Sequence, residues 1–305
     1  MPGAESIRAI KKIWRSRPTI EGAGVHLNRA FGNDDAGQFD PFLLLDDFRS
    51  DNPSDYIAGF PWHPHRGIET ITYVLDGEVE HEDSLGHGGV ISAGDIQWMT
   101  AGNGILHQEM PKGSRTGRMY GFQLWANLPS SHKMMDPRYR DVRHDTVPVV
   151  KTPDGAEIRV IAGKVGKVIG PVQDIVTDPE YLDVSLKPGT QFTHPVSANH
   201  TVFAYVVDGE GYFEPGHGAF ASDDVGIDDT AAPSACPPET LVLYGAGDTI
   251  RISTDKHPVR FLLASGRPIG EPIAWHGPIV MNTWDEIRLA LGELDKGTFI
   301  KHAGE

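Results

Sequence analysis

The stretch FPWHPHRGIETITYVLDGEVEH, residues 60–81, sets two histidines one residue apart at the mouth of an alternating polar–apolar run. Side chains at i and i+2 of an extended chain share a face, so His63 and His65 present two imidazoles side by side. Such a pair is either half of a metal grip or two unrelated polar residues on a loop. The run behind it, TITYVLDGEVEHED, centres on Asp76-Gly77, a favoured two-residue turn, and predicts a β-hairpin.

That pattern comes twice. FAYVVDGEGYFEP carries Asp208-Gly209 at the same place, with Tyr73 matched by Tyr205, Val74 by Val206 and Glu78 by Glu210, an offset of 132 (205 less 73). A second echo pairs SAGDIQWMT with YGAGDTIRI, each a Gly-Asp turn feeding a strand, at an offset of 153 (247 less 94). The growing offset places about 21 extra residues within EPGHGAFASDDVGIDDTAAPSACPPET, a predicted long loop rich in Gly, Pro, Asp and Ala. Short strands in two copies predict an all-β chain of two tandem small barrels or jelly rolls. The expected domains are 1–145 and 146–305, divided between DPRYRDV and VPVVKTPDG. Ile7, Ile10 and Ile13 are expected in a first strand or turn. The clearest helix is TWDEIRLALGEL: Thr283 and Glu286 form a capping box, and Ile287, Ala290, Leu291 and Leu294 share a face. It is expected to belong to the second domain and to pack outside a barrel, its Trp and Leu residues serving the core.

Charge and composition remove several function classes. Asp and Glu total 42 against 27 Lys and Arg, for a net charge of −15, which argues against a direct nucleic-acid or anionic membrane surface. The longest apolar run, PFLLLDD, stops at two aspartates, far short of the ~18 residues that span a bilayer. MPGAESIRAIKKIWRSRP is basic but has no apolar core, so it does not read as a secretory signal, and a cytoplasmic, soluble monomer is expected. The single cysteine, Cys236 in the loop-like PSACPPET, cannot form a disulfide within the chain. Any site is therefore built from His, Asp and Glu.

MTAGNGILHQEMP supplies a second pair, His107 and Glu109, after a Gly-rich connection. If this segment is also a strand, both face one side. Set against His63 and His65, it makes a three-histidine, one-carboxylate site. Imidazole suits Fe, Ni, Cu, Co and Zn, and a carboxylate extends the range to Mn. Four protein ligands leave positions open on a six-coordinate ion, as a catalytic metal needs. The competing reading makes His107 and Glu109 a surface ion pair.

HxH, then Glu69, a Gly-Asp turn and a late His resemble the cupin motif. More closely, residues 60–111 together with GFQLWANLP and EPIAWHGPIVMNT resemble the pirin family. The resemblance runs over nearly the whole chain and is densest from 40 to 140. It implies two cupin barrels packed face to face, with one mononuclear metal ion, Fe(II) by family habit, in the N-terminal barrel only. The ligands implied are His63, His65, His107 and Glu109. Glu69 stands where ordinary cupins place their Glu ligand, and here becomes a candidate supporting residue. In the second copy, a shift of 132 sets Pro195 and Ser197 opposite His63 and His65, with His194 and His200 nearby but without an HxE mate. His276 in AWHGP reads as a loop or packing residue.

Two activities follow from the resemblance. The first is a quercetin 2,3-dioxygenase reaction on a flavonol and O2, releasing carbon monoxide, with Glu109 as the catalytic base. Phe60, Trp62, Ile68, Met99 and Phe122 are candidates to line its slot, and Gln123 to hydrogen-bond Glu109. The second is an iron or redox sensor acting through a regulatory protein partner, with HLNRAFGND and its Arg29 as a reporting surface. The first is favoured.

Overall fold

A computed structural model describes residues 6–213 and 235–301. The predicted long loop falls mostly on 214–234 and so lies outside the described residues. The chain forms two compact units. One joins 17–146 to the segment from Ile269 onward; the other joins 147–268 to the segment ending at Ser16. One division falls between 146 and 147, and both terminal segments are exchanged relative to a simple halving. The C-terminal helix Trp284–Asp295 is therefore in the unit that holds His63, not in the second one.

In the first unit a seven-stranded antiparallel sheet runs Arg138–Val142, Ile96–Thr100, Ile68–Asp76, Tyr120–Asn127, Phe42–Asp47, Val25–Phe31, Arg17–Glu21. A four-stranded sheet runs Phe60–His65, Ile105–Lys112, Glu78–Asp83, Gly88–Ser92. The second unit repeats the large sheet as Ile10–Arg15, Thr240–Tyr244, Thr201–Gly209, Val259–Gly266, Glu180–Leu186, Ala156–Ala162, Val149–Lys151. Its small sheet pairs Gln191–Pro195 with Thr249–Ser253. This is a duplicated cupin barrel, and both copies are mostly strand.

Two expectations about the repeat are corrected. Asp76-Gly77 does not close a hairpin: Ile68–Asp76 and Glu78–Asp83 lie in different sheets. Gly77, at φ +81°, bends the chain from one sheet to the other, and Gly209, at φ +70°, holds the corresponding corner. Alternation describes each strand's faces, not its pairing. The second echo joined strands that are not equivalent. Asp95 feeds Ile96–Thr100 of the large sheet, whereas Asp248 feeds Thr249–Ser253 of the small one. By sheet position the counterpart of Ile96–Thr100 is Thr240–Tyr244; a Gly-Asp turn is too common to fix an alignment.

The second barrel closes on one continuous apolar core that includes Ile13, Phe192, Phe213, Ile250 and Phe261. Cys236 is buried in it, which pushes its thiol up to about 11. The first barrel divides its core into smaller clusters, one around Val74, Phe48 and Met119 and one around Ile68, Met99, Ile105 and Val280. The helix is capped as predicted: Thr283 Oγ1 accepts from Glu286 N, and Glu286 Oε2 accepts from Thr283 N at 2.8 Å. Ile287 and Ala290 pack under it with Leu106 and Phe299, while Trp284 stays exposed. Among the described residues, no helix is long and apolar enough to cross a membrane.

Candidate metal centre

Phe60–His65 and Ile105–Lys112 run antiparallel, with His63 directly across from His107. Directly opposed residues share a face, so His63, His65, His107 and Glu109 all turn into the barrel. The register slips between His107 and Glu109, which pairs with Phe60. Such bulges re-aim side chains beside active sites.

The three imidazoles converge. His63 Nε2 lies 3.0 Å from His65 Nε2 and 2.9 Å from His107 Nε2. Two metal bonds of about 2.1 Å at a right angle hold their donor atoms about 3.0 Å apart. The tautomers agree with a bound cation. His63 Nδ1 faces the Pro61 carbonyl at 3.0 Å, and His65 Nδ1 faces the Pro278 carbonyl at 3.1 Å. A carbonyl only accepts, so each Nδ1 carries the proton and each Nε2 offers a lone pair. Two lone pairs 3.0 Å apart repel unless a cation lies between them. Burial, then the neighbouring imidazoles, holds His65 and His107 well below the usual histidine value, and hence neutral. Among the described residues, these three histidines form the group of His, Cys, Asp or Glu donors close enough for one ion.

Glu109 is buried beside them, its Oε2 4.0 Å from His107 Nε2. It stands outside the group of donors within 4.8 Å of one another, which among the described residues is made by the three histidines. The carboxylate itself is turned onto donors. Gln123 Nε2 donates to Oε2 at 2.9 Å and to Oε1 at 3.2 Å, and Thr72 Oγ1 donates to Oε1 at 3.1 Å. Trp125 Nε1 donates to Gln123 Oε1 at 3.0 Å, which fixes the amide so that its NH2 faces Glu109.

These groups belong to a longer row. Arg29 pairs with Asp46, Asp46 with Gln123, Gln123 with Thr72, Thr72 with Gln97 and Gln97 with Asp141, in register across six strands. All six face one side. Arg29 Nε and Nη2 donate to the two Asp46 oxygens at 2.8 Å each, and Arg29 Nη1 meets Glu21 at 2.8 Å. Burial raises the Asp46 carboxyl to about 6 despite this pairing. At the far end Gln97 donates to Asp141 and meets His81 Nε2, each at 2.9 Å.

A cavity of about 600 Å³ opens onto the centre. His63, His65 and Glu109 form its floor, Phe60, Leu44, Trp125 and Trp275 its apolar walls, and Arg29 and Asp46 part of its polar wall. Trp125 stacks on Trp275 and meets His65 edge-on. Of the residues expected to line a slot, Phe60 does. Trp62 is half exposed and is not part of the lining. Phe122 precedes Gln123 and so faces the reverse side of the sheet; Met99 and Ile68 are packed in an apolar cluster outside the lining. Parity also removes Glu69 from the centre: it faces away from Thr72, is fully buried, and accepts from Thr100 Oγ1 at 2.6 Å. Burial raises its carboxyl.

Gln123 stands where GFQLW suggested. Sequence reasoning missed Thr72, Asp46 and the wall residues Leu44, Trp125, Trp275 and Pro278. Asp46 had a local signal, an acid closing the apolar run FLLLDD. Trp275 and Pro278 had none, because they reach the centre from the far end of the chain. His276, beside them, is exposed on a strand.

Fold and centre together define a bicupin whose first barrel gathers three histidine donors close enough to hold one metal ion. The Pirin family model matches residues 24–126, and the Pirin C-terminal cupin domain matches 181–300. A pirin-like protein of Caulobacter vibrioides is 43% identical over 296 residues, 96% of this chain and 99% of that protein. Human pirin is 39% identical over 279 residues, covering 90% and 88%. The chain belongs to the pirin family. Among solved structures, a quercetin 2,3-dioxygenase from Acinetobacter baumannii superposes with TM-score 0.82 at 30% identity, covering 96% of this chain and 99% of that one. A bacterial pirin from Escherichia coli, solved with nickel(II), shares the fold at TM-score 0.61 and 23% identity, covering 84% and 99%.

Proposed function

We propose that the chain is a mononuclear iron dioxygenase of flavonols, with His63, His65, His107 and Glu109 as metal ligands and the second barrel free of metal. The observation that carries this reading is the cavity itself: aromatic walls closing on three convergent imidazole nitrogens and one carboxylate. Its volume suits one small three-ring molecule. The similarity to a quercetin 2,3-dioxygenase over nearly the full length supports the same class.

When bound, the ion supplies Lewis acidity and redox capacity. The protein's own part is orientation and proton handling. Phe60, Trp125 and Trp275 hold a flat ring system and exclude water from the floor. Glu109 takes the proton of the flavonol 3-hydroxyl, and its two oxygens stay within reach of Gln123 and Thr72 as it does so. Trp125 keeps Gln123 from turning. One flavonol and one O2 give one carbon monoxide and one ring-opened ester, so every atom is accounted for.

The test loads the protein with Fe(II) without air, then admits quercetin and O2 and follows flavonol loss and carbon monoxide together. Wild type is expected to release one carbon monoxide per flavonol. Glu109→Ala and His63→Ala are expected to release none. Stoichiometric iron with no carbon monoxide from wild type would overturn the reading in favour of a sensor or another substrate.

A further inference from the structure

The row that holds Glu109 does not end at Gln123. One strand further, Asp46 lines the same cavity, and beyond it Arg29 does. Strand spacing puts them about 5 and about 10 Å from Gln123 along one wall. Phe60, Leu44 and Trp125 supply the apolar surface of that cavity.

We propose that Asp46 and Arg29 form a second recognition point in the cavity, reading a ring hydroxyl at the end of the ligand remote from the metal. The inference rests on the flavonol reading and narrows it to ligands hydroxylated at both ends. Asp46 spends one lone pair of each oxygen on Arg29 and has acceptor capacity left for a phenol O–H. Arg29 is held on three sides, by two Asp46 oxygens and by Glu21, so its geometry is set before a ligand arrives. Burial without full solvation makes an added donor at Asp46 worth more than it would be in water. Asn33 and Glu21 share this end of the cavity, while the floor keeps its own polar set. A ligand that carries only the metal-side hydroxyl would leave this second point without a partner.

Binding is measured without turnover, on Fe(II)-loaded protein kept free of O2, through tryptophan fluorescence. The probes are quercetin, hydroxylated on both outer rings, and 3-hydroxyflavone, which has the metal-side hydroxyl alone. Wild type is expected to bind quercetin about tenfold or more tightly than 3-hydroxyflavone. Asp46→Asn is expected to erase most of that preference, the loss falling far more on quercetin than on 3-hydroxyflavone. Arg29→Lys, which keeps the charge and loses the fork, should give an intermediate loss. Thermal unfolding of each variant identifies any that fails to fold. An undiminished preference in both folded variants, or an equal loss for both ligands, would overturn the recognition point and leave the flavonol reading standing. If neither flavonol binds wild type, the functional reading itself fails, and this inference with it.

Discussion

The two large sheets carry one row of positions in opposite chemistry. In the first barrel the row is Arg29, Asp46, Gln123, Thr72, Gln97, Asp141. In the second it is Val160, Leu182, Leu263, Ala204, Val242, Ile13, in the same register and all within the apolar core. The strand pair that bears the proposed ligands differs in the same sense. Where the first barrel turns in His63, His65, His107 and Glu109, the second buries Phe192, His194, Ile250 and Ile252. The shift of 132 that selected Pro195 is off by one, because Pro195 is exposed and His194 is the buried one. His194 Nε2 meets the Glu180 carboxylate at 2.9 and 3.0 Å.

The barrel therefore folds with an apolar residue at every position of the sheet row. The polar row is not a requirement of the fold. Each buried polar group in it forgoes about 1.5–3 kcal/mol of apolar burial and costs more if unpaired. Departures from the local rule of this kind mark functional ground.

Exchanging residues between the rows tests this directly. Leu263→Gln puts the first barrel's amide into the second barrel's core, losing a leucine and burying unpaired donors. It should destabilise the protein by about 3–6 kcal/mol, read by urea unfolding. A change below about 1 kcal/mol would show that the second interior accepts polar groups, and the contrast would lose its meaning. The reciprocal Gln123→Leu gains apolar burial against the lost partners of Glu109 and Trp125, so it should cost less stability than Leu263→Gln but weaken Fe(II) binding by about 10–100-fold, because Glu109 loses its main donor. Competition against a chelator measures that, and unaltered affinity would make Gln123 dispensable to the centre.

Smaller effects sharpen the contrast. Glu180→Ala removes the partner of buried His194 and should cost about 1–3 kcal/mol of stability without changing metal content. Loss of the ion on that substitution would place metal chemistry in the wrong barrel. Thr283→Ala breaks the capping box and should cost about 1 kcal/mol in thermal unfolding, again with the ion retained.

The pattern of these residues explains how far the sequence could be read. HxH and HxE carry their own geometry, since i and i+2 share a face wherever a strand forms, and so the placing of His63, His65, His107 and Glu109 on one strand pair was legible. The capping box of the helix was legible for the same reason: Thr283 and Glu286 are local. The duplication was visible through Tyr73 and Tyr205, but pairing was not, because alternation fixes faces and says nothing of neighbours. Glu69 and Phe122 were misplaced by parity, each a single residue from an inward position. The cavity walls were least legible: Pro278 meets His65 across 213 residues of chain, Trp275 stacks on Trp125 from the same distant segment, and only the folded chain joins them.

The central claim is one ion per chain, held in the first barrel by His63, His65, His107 and Glu109. Its most direct test is metal content after saturation with Fe(II) and removal of excess, for wild type, His107→Ala and His194→Ala. The account predicts one ion per chain in wild type and His194→Ala, and none in His107→Ala. Two ions in wild type, or one that His194→Ala removes and His107→Ala does not, would contradict it.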